Sequence, residues 1–359
     1  MNPTANPDMV TLVREAKGWT QTELADKADV TQGYVSKVEN GLTEMTGERL
    51  VAVARALGCP PELLTNTTTR RGLEVSCMFH RRRTSKITVA LGRKIEAVSH
   101  LTRITVDGLL NGVAIDSPSP IERMDIDDYN GDPEHVAQLL RARMRIPSGP
   151  IGNVFTLLDA AGIVVVIRPV GTVGTVGQDA FSLWPPNSRP IMVINTGLPV
   201  DRLRFTAMHE LGHVAMHVMP NLEQESQANR FAAEFLMPAA EIRPQLAGLT
   251  TRDFNRLMGL KAEWKVSIAA LIQRAKSLDL ISDRQFREFR IKLSQLGWNS
   301  VEPLDLPEEN PTLLDSVIAV HRNEHGYTDD ELAKVAQMTP QAFRHYYLHE
   351  PQRPHLAVV

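Results

Sequence analysis

Apolar and polar residues near the N-terminus follow the spacing of short amphipathic helices. In "WTQTELADKADVTQGYVSKVENG", Thr20 and Glu23 form the pattern of a capping box, which predicts the start of a helix. A second helix is expected to begin after the N-cap residue Thr31 and to end before Gly41, a natural C-terminal stop. Because only a few residues separate the two, the pattern predicts a helix-turn-helix within residues 9–64.

The second of these helices is expected to bury Val35 and Val38, and Val30 before it, and to turn its polar residues outward. Tyr34 is expected to pack against the bundle. The outward positions are Gln32, Gly33, Ser36 and Lys37.

The middle of the chain changes from helical to strand-like patterning. Apolar spacing over residues 85 to about 111 predicts one long linking helix, and the Pro-, Asp- and Gly-rich stretch 116–133 predicts a domain boundary. After Gly162, the β-branched run "IVVVIR" and the segments "AFSLW" and "PIMVIN" predict three short strands. The connector "VGTVGTVGQ" lacks the lysine and the spacing of a phosphate loop, so it predicts turns.

A helix expected to be capped by Asp201 and to run through residue 218 carries the letters HELGH. Its histidines, His209 and His213, are four residues apart, so their rings share one face of the helix and can bind a single ion. Two imidazoles at this spacing suit Zn²⁺, and Glu210 can reach a water held at an open coordination position. The pattern therefore predicts two zinc ligands and a general base.

A catalytic zinc normally has three protein ligands and a water, whereas structural zinc normally has four protein ligands. His217 comes four residues after His213, but a straight helix carries it about 5.4 Å further along the axis. It is therefore not expected to complete the site.

The third ligand is expected in "LEQESQANRFAAEFLMP", residues 222–238. Glu225 and Asn229 lie one turn apart on one helical face, so Glu225 can bind the ion while Asn229 hydrogen bonds to a ligating histidine. Two other carboxylates compete for the role: Glu223, at or before the first turn, and Glu234, on the opposite side of the helix.

The C-terminal region is expected to be helical, with a buttress of helices from residue 250 and a Pro-rich linker at 302–311. Beyond the linker, "GYTDDELAKVAQMTPQAF" repeats the pattern of "GWTQTELADKADVTQGYV" and predicts a second helix-turn-helix. A helix-turn-helix can place its second helix in the major groove of DNA. Pro340 stands where the first motif has Gln32, which favours an interaction module over a second DNA-binding motif.

Composition narrows the class of protein. At 359 residues, with 43% hydrophobic and 23% charged residues, the chain is expected to form several globular domains. It has neither a signal-peptide pattern nor an apolar run of about 18 residues, so a cytoplasmic protein without a membrane segment is expected. The two cysteines, Cys59 and Cys77, are far from the histidines, so nitrogen and oxygen must hold any metal.

The charge is unevenly distributed. Residues 1–64 hold six Lys/Arg against nine Asp/Glu, whereas residues 65–110 hold nine against three. The basic centre "HRRR" at 80–83 is expected to be a solvated surface, with contact to DNA phosphates as the alternative.

The N-terminal motif resembles the Cro/C1-type (XRE) helix-turn-helix family over about 55 residues. The resemblance implies binding to double-stranded DNA, usually as a homodimer on paired half-sites. It places base-edge contacts at the four outward positions of the second helix, and Gln21 near a phosphate. The acidic balance of the domain leaves a purely protein-binding bundle as the alternative.

The letters "RFTAMHELGHVAMH" and "ExQANRFAAEFLMP" are similar to those of the ImmA/IrrE (COG2856-type) zinc metallopeptidases, from about residue 133 to 298. The resemblance implies a gluzincin-like HExxH endopeptidase that cleaves a repressor or related regulatory protein. It makes Zn²⁺ the cofactor, His209, His213 and Glu225 the ligands, and Glu210 the catalytic base. The main alternative is a transcriptional repressor or antitoxin-like DNA-binding protein with a structural or inactive zinc site.

The expected fold is mainly α with a small β-sheet, an α+β class. It comprises an N-terminal helix-turn-helix bundle, a central zincin-like domain and a C-terminal helical region. The expected bounds are 1–66 for the DNA-binding domain, 67–131 for a basic linking helix and linker, 132–300 for the metallopeptidase domain and 301–359 for the C-terminal module.

Overall fold

The computed structural model describes residues 3–67, 88–169, 179–185, 188–217 and 221–348. The chain divides into two compact units, one formed by Met1–Ile115 with Thr312–Val359 and the other by Asp116–Pro311. The fold is mainly helical with a small sheet, as the sequence predicts. The predicted basic centre at 80–83, Cys77 and the connector "VGTVGTVGQ" lie outside the described residues.

The first unit begins with the predicted bundle of short helices. Thr20 and Glu23 form a reciprocal capping box, Thr31 caps the next helix through the Tyr34 amide, and Asp29 between them has a left-handed backbone. The helices are α1 (Pro7–Lys17), α2 (Gln21–Ala28), α3 (Gln32–Glu39), α4 (Gly47–Leu57) and α5 (Pro61–Leu64).

The long linking helix is present as α6 (Val89–Leu110), with Thr88 as its N-cap, and α1 packs along it. Residues 85–87 of the predicted helix lie outside the described residues. The apolar residues Ile95, Val106 and Leu109 are fully buried. Across the described residues, no helix combines the length and apolarity that a membrane span requires.

The second unit begins with helices α7 (Pro133–Arg143) and α8 (Val154–Ala160), and α8 packs on the first strand of its sheet. Asp132 caps α7 and Pro133 occupies its first turn, as predicted. The strands are β1 (Val164–Ile167), β2 (Ala180–Leu183) and β3 (Ile191–Ile194).

β3 lies in the centre of this sheet, parallel to β1 and antiparallel to β2. The register places Ser182 of β2 opposite Met192 of β3. All three predicted strands therefore form, and β2 lies at an edge of the sheet.

The HELGH sequence lies on α9 (Val200–Met216), which packs closely on α10 (Gln224–Leu236) and contacts β2 and β3. The prediction that Asp201 caps α9 was wrong: the helix begins at Val200, and Asp201 accepts a 2.6 Å hydrogen bond from Lys261 Nζ instead. The helix also ends at Met216, with His217 as its C-cap, rather than at 218.

The predicted helical buttress follows in the same unit. Ser267 and Ser282 cap their helices as predicted, through the amides of Ala270 and Gln285. The helices are α11 (Ala239–Leu246), α12 (Phe254–Trp264), α13 (Ile268–Ser277) and α14 (Asp283–Gln295).

The Pro-rich segment at 302–311 is anchored to the second unit by two buried carboxylates. Glu302 accepts hydrogen bonds from Lys261 Nζ and from the backbone amides of Ile268 and Ala269 at the start of α13. Glu309 pairs with the buried Arg204 of α9. These interactions hold the segment against α9 and against the helices that contain Lys261 and Ile268.

The C-terminal repeat forms a second helix-turn-helix in the first unit, from α15 (Leu313–Asn323), α16 (Asp329–Val335) and α17 (Pro340–Tyr347). Thr328 and Glu331 repeat the capping box of α2, and Gln337 repeats the left-handed backbone of Asp29. The turn packs on α6, where Thr105 Oγ1 donates a 3.0 Å hydrogen bond to the Ala336 carbonyl.

Candidate metal centre and DNA-binding surface

Helices α9 and α10 bring three predicted ligands together, here called the His-His-Glu group: His209, His213 and Glu225. The Nε2 atoms of His209 and His213 are 3.0 Å apart. Glu225 places one carboxylate oxygen 3.6 Å from His209 Nε2 and the other 3.5 Å from His213 Nε2. Both histidines are buried, whereas Glu225 is partly exposed.

The two separations between Glu225 and the histidines are close to those of donor atoms around a tetrahedral ion, whereas the 3.0 Å between the two histidine nitrogens is shorter. With metal-ligand bonds of about 2.0–2.2 Å, donors around such an ion lie roughly 3.3–3.5 Å apart. Two imidazole nitrogens and one carboxylate suit Zn²⁺ and leave a coordination position for water. The donor set therefore fits a zinc ion with three protein ligands and one open position.

The hydrogen bond to His209 supports the same interpretation. His209 Nδ1 lies 3.1 Å from Asn229 Oδ1, an oxygen that can only accept, so Nδ1 carries the hydrogen. In the neutral ring, the lone pair of Nε2 then points towards His213 and Glu225. A cation at that point relieves the repulsion between donor atoms held this close.

His217 does not belong to the His-His-Glu group. Its Nδ1 lies 2.9 Å from His213 Nδ1, on the side of His213 away from the Nε2 donor, and its Nε2 lies 3.0 Å from Gln227 Oε1. Burial, with a smaller contribution from the nearby His213, lowers the pKa of the His217 imidazole to about 3. His217 is therefore a neutral ring that supports His213.

Glu210, the predicted base, is buried beside the ligands and accepts a 2.7 Å hydrogen bond from Ser182 Oγ on β2. No sequence pattern indicates this contact. Ser182 occupies an ordinary strand position, and only the packing of α9 on the sheet places its hydroxyl beside the carboxylate.

The two competing carboxylates lie elsewhere. Glu234 is buried in an ion pair with Arg274 of α13 and accepts a 2.9 Å hydrogen bond from Gln138 Nε2. Glu223 is exposed before the first turn of α10. Among the described residues, Glu225 is the carboxylate grouped with the two histidines.

On the N-terminal bundle, the first residues of α3 are linked to α2 and α1 by side-chain hydrogen bonds. Gln32 Nε2 donates to Gln21 Oε1 at 2.9 Å, and Gln21 Nε2 donates to Glu39 at 2.8 Å. Arg14 of α1 forms a two-pronged ion pair with the same Glu39 carboxylate. The network fixes the position of Gln32 at the surface.

The other predicted DNA contacts are also accessible on α3. Gly33 and Lys37 are exposed and Ser36 is partly exposed, whereas Val35 and Val38 are fully buried. Tyr34 packs against the bundle, as expected, with Arg49 stacked on its ring. One face of α3 is therefore apolar and buried, and the other is polar and open to a partner.

Two family models match the chain. The Helix-turn-helix model matches residues 12–64 and the Peptidase_M78 model, described as the IrrE N-terminal-like domain, matches residues 158–276. The chain is therefore a DNA-binding regulator that carries a peptidase-family domain. More specifically, it joins an XRE-type helix-turn-helix to an IrrE/ImmA-like peptidase domain, a family that is typically metal-dependent. Comparison with curated proteins gives no significant match.

Proposed function

We propose that the protein is a zinc-dependent endopeptidase that binds an operator-like DNA site and cleaves a partner repressor or related regulatory protein. The observation that carries the proposal is the convergence of His209, His213 and Glu225 within ion-binding distance, next to the buried Glu210. The match of this region to a peptidase family supports the same chemistry.

In this proposal, His209, His213 and Glu225 hold the zinc, and Asn229 orients His209 through its 3.1 Å hydrogen bond. When bound, the zinc would acidify a water and polarise the carbonyl of the scissile peptide. Three protein ligands leave room for that water, which a fourth protein ligand would exclude.

Glu210 would act as the general base. Its carboxylate takes a proton from the attacking water and later transfers it to the leaving amine. The hydrogen bond from Ser182 holds one carboxylate oxygen, Oε2, in a fixed direction. Burial within the site keeps the base away from bulk water.

The N-terminal domain would supply DNA recognition. Gln32 can read adenine through N6 and N7, and Lys37 can contact guanine or a phosphate. Gln21 would lie near a phosphate, as the family resemblance implies. Gly33 and Ser36 complete the exposed surface at the start of α3. A single recognition helix reads only a half-site, so we expect a homodimer on paired half-sites.

Fusion of the two activities would raise the local concentration of substrate. A peptidase tethered to operator DNA meets operator-bound repressors far more often than a free enzyme does. The C-terminal helix-turn-helix has Pro340 at the position of Gln32 and its turn packed on α6, which favours a role in protein contacts.

The test is to express wild-type, Glu210→Gln and Glu223→Gln proteins in the native host and to map new protein N-termini by mass spectrometry. Glu223→Gln is the matched control, because it makes the same chemical change at an exposed site nearby. We expect specific new N-termini with the wild type and the control and none with Glu210→Gln. Identical patterns from all three proteins would favour the alternative, a DNA-binding regulator with a structural or inactive zinc site.

A further inference from the structure

His217 lies at the C-terminal end of α9, directly behind His213, and only about 4% of its surface is exposed. Both of its ring nitrogens are engaged: Nδ1 is 2.9 Å from His213 Nδ1, and Nε2 is 3.0 Å from Gln227 Oε1. A nitrogen occupied in this way is not available to a metal ion. The remaining question is which nitrogen carries the hydrogen in the His213 ring and which carries it in the His217 ring.

A backbone amide fixes the answer. The Glu223 N–H donates to Asn221 Oδ1 at 2.9 Å, so this atom of the Asn221 amide must be its oxygen. The nitrogen of the same amide, Nδ2, then donates to Gln227 at 3.2 Å, so the Gln227 atom that faces it must also be an oxygen.

That oxygen accepts a second hydrogen bond, from His217. Because Gln227 Oε1 cannot donate, His217 Nε2 carries the hydrogen, and the Nδ1 of a neutral ring is left as an acceptor. His213 Nδ1 must then donate to His217 Nδ1. The remaining nitrogen of His213, Nε2, has its lone pair pointed at His209 and Glu225.

The two ligating histidines thus reach the same state by different routes. His209 donates directly to the amide oxygen of Asn229, whereas the His217 ring lies between His213 and the amide oxygen of Gln227. The orientation of the Asn221 and Gln227 amides fixes the tautomer of His217, and the tautomer of His217 in turn fixes that of His213. Without His217, the His213 ring could carry its hydrogen on Nε2, and the nitrogen that faces the site would then have no lone pair for a metal ion.

We propose that His217, held by Gln227 and Asn221, is a positioning residue that fixes the tautomer and the ring orientation of His213 for metal binding. The proposal rests on the metal site of the proposed function. Partners of ligating histidines typically change metal affinity by about 10- to 100-fold when they are removed. We expect an effect in that range.

The first test needs no metal. Nitrogen-15 NMR of the imidazole rings in the metal-free protein distinguishes a hydrogen on Nδ1 from one on Nε2. We expect the hydrogen of the His213 ring to be on Nδ1 in the wild type. In His217→Leu, we expect a larger fraction of His213 rings to carry it on Nε2. Gln227→Met, which leaves both histidines in place, is expected to shift His213 in the same direction to a smaller extent.

The second test measures zinc affinity by competition with a chromophoric chelator. His217→Leu is expected to raise the Kd for zinc by about 10- to 100-fold. In His217→Gln, a side-chain amide oxygen can replace Nδ1 as the acceptor, so we expect most of the affinity to return. The control is His135→Leu, an exposed histidine of the same unit, whose affinity should equal that of the wild type.

Circular dichroism and thermal melting of each variant identify any loss of folding, and Gln227→Met and His217→Gln keep the test valid if His217→Leu does not fold. The proposal is overturned if His213 carries its hydrogen on Nε2 in the wild type, or if tautomer and zinc Kd are unchanged in all the variants. The variants could show the expected changes in tautomer and zinc affinity while the wild-type protein cleaves no partner. That result would refute the proposed peptidase activity but would support the role of His217.

Discussion

Gly212, within the HELGH sequence, lies directly against the ring of Phe231 on the neighbouring helix. A Cβ at residue 212 would lie 3.0 Å from Phe231 Cδ1 and 3.4 Å from the Ala228 Cα. The glycine therefore sets the distance between α9, which carries two predicted ligands, and α10, which carries the third. Gly212 therefore allows the two helices to pack closely, and this packing brings the three predicted ligands together.

Gly212→Ala should both destabilise the protein and weaken zinc binding. Overpacking typically costs about 1–3 kcal/mol, which outweighs the ~1 kcal/mol that alanine gains over glycine in a helix. Gly259→Ala is the control, since that glycine lies within α12 with nothing within 4 Å of the added Cβ. Urea unfolding should show Gly212→Ala below the wild type and Gly259→Ala at or above it. Equal or greater stability of Gly212→Ala would refute the close-packing account.

Ser182→Ala should slow cleavage without changing metal affinity. The substitution removes a hydrogen bond to a charged group. If this hydrogen bond stabilises the transition state by about 1.4 kcal/mol more than the bound substrate, its loss lowers kcat about tenfold. The measurement is kcat on an identified substrate together with the zinc Kd. Ser188→Ala, whose hydroxyl donates to the Pro185 carbonyl, removes a serine hydroxyl of the same unit away from Glu210. A parallel loss of zinc affinity in Ser182→Ala would contradict a role confined to the base.

Arg274→Met should be among the most destabilising changes in the second unit. Arg274 and Glu234 are both buried, so the substitution leaves a buried carboxylate without its charged partner, at a cost of about 3–5 kcal/mol. The exposed pair Arg284 and Glu288 provides the comparison, where Arg284→Met should cost less than about 1 kcal/mol.

The measurement is the free energy of unfolding in denaturant for Arg274→Met, Arg284→Met and the double variant Glu234→Leu/Arg274→Met. The double variant should recover much of the loss because it removes the unpaired charge. A loss as large in the double variant as in the single one would show that the pair is not the cause.

Lys37→Ala and Gln32→Ala should weaken DNA binding in different ways. If Lys37 contacts a phosphate, its loss lowers affinity for all sequences and reduces the salt slope by about 1. Gln32→Ala should reduce discrimination between the selected site and random DNA by about 1–3 kcal/mol. Sites selected from randomised DNA and titrated at several salt concentrations give both quantities. Arg55→Ala, an exposed cation of α4, is the control.

If neither Lys37→Ala nor Gln32→Ala alters affinity or its salt dependence, the bundle is a protein-binding module instead. This is the alternative that the acidic balance of residues 1–64 leaves open.

Local patterns in the sequence predicted the parts of the fold that depend on neighbouring residues. The capping box of Thr20 and Glu23, the N-cap at Thr31 and the three short strands all formed as expected, since each is decided within a few residues. Helical spacing predicted that His209 and His213 share one face, and the family resemblance joined Glu225, on the next helix, to them.

Features that depend on distant segments could not be predicted. Asp201 looked like an N-cap, but its partner, Lys261, is 60 residues away. Glu302 and Glu309 lie in a Pro-rich stretch that reads as a solvated linker, yet both are bound to the second unit. The contact between Ser182 and Glu210 exists only because the sheet packs on α9. The spacing of residues along the sequence does not show which distant side chains will come into contact.

The central claim is that a carboxylate of α10 completes a metal site with the two histidines of α9. The direct measurement is the zinc content of purified Glu225→Ala beside Glu223→Ala, which removes an exposed carboxylate two residues away. We predict about one zinc per chain in the wild type and in Glu223→Ala, and loss of most of it in Glu225→Ala. Full zinc content in Glu225→Ala, with unchanged affinity, would contradict the claim.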